Sequence, residues 1–313
     1  MATTTSITTT YAGEFAGEYI SAALTSGKTL NDGAIAIKPN VKFKEVLKTL
    51  SLTDSIVDAT CDFDPTSTVT LDERVLQPKE LQVNLQLCKS DFRSDWEAIS
   101  MGYSAHDNLP PKFSDYIIGH VAGKVAETVE NTIWQGDDSA ETGLNLFEGF
   151  ENHLTSSGIN IGSTTVTSGN VIDFLGGMVD AIPTAVYGKE DLTIYTPNNV
   201  YQAYVRALGG FATQVGAAGI DNKGTTFYGM NEGLSFDGIK LQRCPGMSSN
   251  RAIAAQASNL YFGTGLLADH NEVKLIDMAD IDGSQNVRLV MRFTAGTQVG
   301  IVADAIHRTA SAS

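Results

Sequence analysis

One stripe limits what this chain can fold into. Phe113, Ile117, Val121, Val125, Val129 and Ile133 recur at a spacing of four, with Ala122 and Ala126 beside them. That period puts them on one side of an α-helix. Pro110-Pro111 suits a first helical turn, where a missing N–H costs nothing, and Gly136 supplies the stop behind Trp134-Gln135. The pattern predicts a helix over about 112–135, a rod of about 23 residues and roughly 35 Å at ~1.5 Å per residue. A rod of that length, apolar along one side, needs several other elements packed on it. A short acidic link then leads to Phe147-Glu148-Gly149-Phe150, a second aromatic and glycine signal beside the rod's end.

Upstream, Tyr11, Phe15, Tyr19 and Leu24 fall on roughly one side of a predicted short helix over 11–24. Gly27, Gly33 and Pro39 then keep the chain open. The first forty or so residues hold too few apolar anchors for a core of their own, so they read as an arm lying on something else, such as a neighbouring subunit. From Thr66 to Asp91 the period changes to two. Val69 and Leu71 alternate with polar residues; Leu81, Val83, Leu85 and Leu87 alternate with Gln82, Asn84, Gln86 and Cys88. Such alternation predicts strands. Between the two runs stands Asp72-Glu73-Arg74-Val75-Leu76-Gln77-Pro78-Lys79-Glu80, whose charges and proline protect an exposed edge from indiscriminate pairing. The expectation is a long projecting antiparallel loop, and long loops either function or order on a partner.

Beyond the link, Ser168 is the expected cap of a helix carrying Val171, Leu175, Met178 and Ile182, ended by Pro183. Leu192–Tyr195 reads as a strand, and Thr196-Pro197 as N-cap and first residue of a helix bearing Val200, Tyr201, Tyr204, Val205 and Leu208. Residues 209–233 are rich in glycine and predict a mobile surface loop. Strands are expected at Leu234–Leu241, Arg251–Ala255, Glu272–Met278, Val287–Phe293 and Gln298–Ala303, the last two as a hairpin about Thr294-Ala295-Gly296-Thr297. The class is α+β.

Composition narrows the function. Hydrophobic residues make up 42% of the chain, which fits a globular protein, and no stretch approaches the ~20 apolar residues that a bilayer demands. The threonine-rich start lacks the basic and apolar regions of a signal peptide, so a cytosolic setting is expected. Cys61, Cys88 and Cys244 are too few and too scattered for a disulfide framework or a zinc site, and buried thiols are expected. The formal charge is −15; residues 101–200 carry 13 acids against Lys112, Lys124 and Lys189, whereas 201–313 carry nine of each sign. A broad basic face for phosphates is therefore disfavoured.

Motifs that could carry chemistry fail on context. Ala22–Thr29 fits a relaxed phosphate-loop pattern with Lys28 and Thr29 in the reacting places, but a helix rather than a strand is expected before it. Gly263-Thr264-Gly265-Leu266-Leu267-Ala268 resembles a dinucleotide fingerprint, yet too few residues follow for a parallel crossover, and a turn is expected. Asp277, Asp280, Asp282 and Gly283 lack the closing acid of a calcium loop. Asp269-His270-Asn271-Glu272 has no second histidine at helical spacing, and His106, His120, His153 and His307 stand alone. No catalytic, cofactor or metal residue is assigned, and an enzyme is not expected.

Taken in order, the arm, the projecting loop, the rod ending in Ile133-Trp134-Gln135-Gly136-Asp137, the Phe147-Glu148-Gly149-Phe150 link, the α+β region and the closing Val287–His307 strands resemble a tailed-bacteriophage major capsid protein of the HK97 fold. The segment Val75-Leu76-Gln77-Pro78-Lys79-Glu80-Leu81 adds to that likeness. The resemblance implies an N-arm at 1–40, then a peripheral domain at 41–164 with an extended E-loop (about 52–90) and the rod as spine helix. An axial domain at 165–270 and C-terminal strands at 271–313 returning to the peripheral domain would follow. It implies self-assembly, as pentamers and hexamers, into an icosahedral shell around double-stranded DNA; the acidic balance fits ordinary solubility first, and for such a container an inner surface that repels phosphates as well. A separate scaffolding protein, a portal and possible decoration proteins would be partners; no membrane and no sequence-specific DNA contact is implied. Assembly in a bacterial host cytoplasm and residence in the virion follow. Asp72, Glu73, Arg74, Lys79 and Glu80, with Phe15 and Tyr19 of the arm, are the candidate assembly contacts. No covalent crosslink is expected, because nothing places an asparagine and a buried acid beside Lys79 or Lys89. A tail-tube or other ring-forming virion protein is one alternative, and an α+β small-molecule enzyme using Gly263-Thr264-Gly265 another.

Overall fold

The computed structural model describes residues 27–53, 56, 58, 61, 68–88, 111–141, 143–155, 159–163, 165–208, 234–265 and 273–310. The arm helix with Phe15 and Tyr19, the glycine-rich 209–233, the Asp269–Glu272 motif and His106 lie outside these residues.

The rod forms as α2, Pro111–Gln135, after a one-turn helix α1, Lys28–Asn31. Its buried line runs through Ile118, Ala122, Ala126, Val129, Ile133 and Trp134, while Val121 and Val125 of the expected stripe are only half-buried. At 3.6 residues per turn a row spaced by four drifts around the cylinder, so the contact line crosses from one row to the next. The rod's end explains the two aromatic and glycine signals. Gly136 N–H donates to Thr132 O at 2.9 Å and Gly149 N–H to Gly136 O at 2.8 Å. A Cβ on either glycine would overlap backbone, Phe147 O at Gly136 and Gly136 N at Gly149. That close crossing lets Trp134 sit 5.5 Å from the Phe150 ring and 5.3 Å from the Tyr195 ring, fully buried. Phe150–Thr155 continues as the short helix α3.

The first core lies between the rod and a sheet built on one long strand. That sheet comprises β1 (Ala36–Lys38), β4 (Lys79–Cys88), β10 (Leu260–Thr264), β11 (Val273–Asp277) and β12 (Asn286–Val299). Along one side of β12, β10 and β11 pair end to end; along the other, β4 pairs from Lys79↔Ala295 to Cys88↔Asn286. The expected hairpin about residues 294–297 does not form: β12 runs straight through it. Gly296 is there because Pro78 Cα and Gln77 O occupy the space near where its side chain would be, at 2.9 and 3.0 Å from an added Cβ. A glycine can mark a close backbone approach as well as a turn. Gly263 and Thr264 likewise lie in β10, antiparallel to β12, and not in the expected turn.

A second correction concerns the two alternating runs. β3 (Thr68–Leu76) pairs not with β4 but with β2 (Glu45–Thr53), as a separate two-stranded ribbon. Asp72–Leu76 is therefore strand, and the chain turns into the main sheet at Gln77-Pro78.

The second core packs α4 (Val171–Val179) and α5 (Asn198–Ala207) on a six-stranded sheet ordered β5-β13-β9-β6-β8-β7. Its strands are β5 (Ile159–Ser163), β6 (Leu192–Thr196), β7 (Ser235–Phe236), β8 (Ile239–Arg243), β9 (Ala252–Gln256) and β13 (Ile306–Ala310). Asn170, not Ser168, precedes α4, and Pro197 rather than Thr196 precedes α5. The run at 234–241 splits at Asp237-Gly238, whose φ values of 51° and 81° make the turn that joins β7 to β8. The sheet is shared. Tyr195, Ile253 and Ala255 face the first core, while Ile194, Ala252 and Ala254 face the second. A one-turn helix α6 (Ala279–Asp282), closed by Gly283 at φ 73°, is the expected turn between β11 and β12. Among the described residues no helix is long and apolar enough to cross a membrane. The thiols differ from expectation: Cys244 is buried, Cys88 half-buried and Cys61 exposed.

Candidate assembly surface

The ribbon breaks the rule that a sheet buries one face. In antiparallel pairing, directly opposed residues share a face. Val46↔Val75, Lys48↔Glu73, Leu50↔Leu71 and Leu52↔Val69 therefore form one side, and Leu47↔Arg74, Thr49↔Asp72 and Ser51↔Thr70 the other. The first side is apolar except for the central lysine and glutamate, and it is open: Leu50 is 69% and Leu71 70% exposed, with Val46, Leu52, Val69 and Val75 also exposed. The root is anchored. Leu76 is fully buried, its side chain and Pro78 fill the space beside Gly263, and Gln298 Nε2 donates to Val75 O at 2.8 Å. Lys38 Nζ meets Glu45 at 3.0 Å. Between β2 and residues 256–261 and 300–301 lies an open groove of about 520 Å³, walled by Lys38, Lys48, Ser258, Tyr261 and Ile301 among others.

The residues expected to make assembly contacts are divided by this geometry. Asp72 and Arg74 lie on the polar side of the ribbon, Glu73 on the apolar side, and Lys79 and Glu80 open β4 in the body. Lys79 has a partner in its own chain: its Nζ lies 2.6 Å from Asp138 Oδ2, and this hydrogen bond holds the Asp138 carboxyl below the usual range. Asp137, Asp138 and Glu148 bring carboxylate oxygens within 4.8 Å of one another. Burial, then the neighbouring Asp138, pushes the Glu148 carboxyl up. The ribbon residues from β2 were not singled out by the sequence reading; the alternation Leu50-Ser51-Leu52 carried the signal, masked by Leu47 beside Val46.

The chemistry-like motifs serve the fold. Thr29 is buried, donating its N–H to Glu130 Oε2 at 3.1 Å and its hydroxyl to Oε1 at 2.5 Å, while Trp134 Nε1–H donates to the hydroxyl at 2.8 Å. Lys28 pairs with Asp32 at 3.2 Å. Both side chains of the phosphate-loop resemblance are thus bonded within the chain. Glu151, buried, accepts from Ser248 N–H at 2.8 Å, Ser248 Oγ at 2.7 Å and Arg251 Nη1 at 2.8 Å, tying α3 to the loop before β9. His153 Nε2 lies 3.1 Å from Thr297 O, and His307 Nδ1 3.3 Å from Thr155 Oγ1. Burial lowers both imidazoles to about 4.

No protein-family model and no curated protein matches the chain. Solved structures do. The capsid of an empty GTA particle superposes with a TM-score of 0.59 at 11% identity, covering 99% of this chain and 96% of that one. The capsid of Myoviridae phage XM1 gives 0.55 at 14% identity, over 91% and 92%. Gordonia phage Cozz gives 0.58 at 13%, over 92% and 87%. The mixed α+β architecture is thus that of phage capsid structures. The likeness extends over nearly the whole chain.

Proposed function

We propose that the chain is the major capsid protein of a tailed phage, tiling with copies of itself into a closed icosahedral shell around double-stranded DNA. Its role is structural and not catalytic. The ribbon is the observation that carries this reading. Two strands alone are marginally stable in water, and contiguous exposed apolar faces mark interaction sites. Six aliphatic side chains on one face of such a ribbon need a cover, and a neighbouring copy supplies it. In this reading the ribbon is the E-loop, shifted to 45–76 from about 52–90, and the rod is the spine helix. The first core belongs to the peripheral domain and the second to the axial domain, with residues 1–40 as the N-arm and 271–313 returning to the peripheral domain. Copies would gather as pentamers and hexamers with a separate scaffolding protein and a portal, in a host cytoplasm, before the shell becomes part of the virion.

Electron microscopy of the protein, expressed alone and with the products of genes flanking its own, tests the proposal. Closed polyhedral shells are expected. Tubes or stacked rings would move the assignment to a tail-tube component, and a monodisperse monomer under every condition would overturn it.

A further inference from the structure

The root of the ribbon concentrates positive charge that the rest of this chain lacks. Lys38, Lys42, Lys44 and Lys48 fall close together, with Glu45 the one acid in that stretch of sequence and Glu73 across the ribbon from Lys48, in a chain of 21 basic and 36 acidic residues. Lys38 is engaged, 3.0 Å from Glu45 and 5.7 Å from the Tyr261 ring centre. Lys42, Lys44 and Lys48 are exposed, and none forms an ion pair among the described residues. Between two of them Phe43 is 70% exposed, with Lys44 Nζ 5.3 Å from its ring centre. The groove of about 520 Å³ opens beside Lys48, with Val46 and Leu50 on its ribbon wall and Ser258 and Asn259 opposite.

This mixture selects a protein over a nucleic acid. A phosphate backbone would neutralise the lysines but leave Phe43, Val46 and Leu50 wet, whereas a protein surface with an acidic rim satisfies both. The complementary charge exists in the chain itself, since residues 101–200 carry 13 acids against three bases. Part of that charge lies in the link behind the rod, where Glu141 is exposed and Asp138, paired with Lys79 of its own chain, is also exposed to solvent.

We infer that the ribbon root is a docking surface for a second copy of this chain, its lysines and groove receiving the acid-rich link behind the rod helix of that copy. The inference rests on the capsid reading and specifies one contact within it. Opposite patches on an otherwise self-repelling chain steer copies into one orientation, and steering between exposed charges weakens with salt.

The test compares shell formation by the full chain with that of a Lys42→Glu, Lys44→Glu variant, which leaves Lys48 opposite Glu73 in the ribbon, by light scattering and microscopy from low to high salt. Circular dichroism confirms that each variant is folded. The wild-type rate is expected to fall steeply with salt, the variant to assemble at least tenfold more slowly at low salt, and adding Glu141→Lys to the variant, which leaves the Asp138–Lys79 pair intact, to restore part of the lost rate. Equal assembly of variant and wild type overturns the docking surface while leaving the capsid reading intact. So does failure of Glu141→Lys to restore any of the lost rate. Normal shells that no longer retain DNA would assign the lysines to nucleic acid instead. A wild-type chain that forms no shell overturns both readings together.

Discussion

Replacing Leu50 and Leu71 with threonine should weaken assembly without weakening the fold. Threonine brings the β-branched shape that a strand favours, so the ribbon's backbone is preserved. The two leucines oppose each other at the centre of the apolar face and are 69% and 70% exposed. Taking about 2 kcal/mol for complete burial of a leucine side chain, the exposed fractions of 69% and 70% leave about 1.4 kcal/mol each to be gained when a neighbour covers them. Losing most of that at both sites costs about 2 kcal/mol per contact, or about thirtyfold in the association constant. Each subunit repeats the contact, so the protein concentration at which shells first appear should rise at least tenfold. Light scattering against concentration reads that threshold, and thermal melting of the unassembled subunit reads the fold. A melting point lowered by several degrees with an unchanged threshold would refute the reasoning, because the leucines would then be covered within their own subunit.

Other consequences follow from the body. Gly149→Ala forces a Cβ into the backbone of Trp134 and Gly136 and should cost about 3 kcal/mol or more, read as loss of soluble protein or a fall in urea midpoint. Glu151→Ala strands Ser248 N–H, Ser248 Oγ and Arg251 without their acceptor and should destabilise the subunit by about 3 kcal/mol in denaturant titration. His307 is fully buried, and desolvation lowers it to about 4 from 6.5. The unfolded chain therefore binds more protons in that interval, and stability is lost as pH falls from about 6.5 to about 4, by about 3 kcal/mol. Urea titrations at pH 7 and pH 4.5 check this, and His307→Gln should show a smaller difference between the two.

The parts of the fold legible in the sequence were those with a single dominant period. The rod declared itself because Val129 and Ile133 repeat at helical spacing and Gly136 stops them, and β4 because Leu81 to Leu87 alternate without interruption. What failed was pairing. Nothing local in Val69–Leu76 distinguishes β2 from β4 as its partner, since the decision is made at Pro78, where the chain packs on Gly263 and Gly296 and is turned into the sheet. The same packing misled the hairpin expectation at 294–297, where a glycine needed for a distant proline looked like a turn. The charged run at 72–80 pointed to the ribbon, but its energetic centre lies in the aliphatic residues between and opposite those charges. Burial is a relation between segments, and an exposed leucine reads like a core leucine in one dimension.

In the capsid reading, the two kinds of interaction divide the work of folding from that of assembly. The body closes two cores on a sheet buried from both sides, so Tyr195 and Ile194 on the same strand commit both cores to one cooperative unit. The ribbon contributes almost nothing to that unit beyond Leu76, and its apolar face is interrupted by Lys48 and Glu73, which discourages continuous, unspecific strand pairing. In the capsid reading, a net charge of −15 further opposes casual contact between copies, leaving only orientations that bring the basic ribbon root against an acidic surface. Each such contact is then modest, and closure depends on many of them forming together. Modest contacts let a misplaced subunit leave before its neighbours trap it, which favours a closed shell over an aggregate.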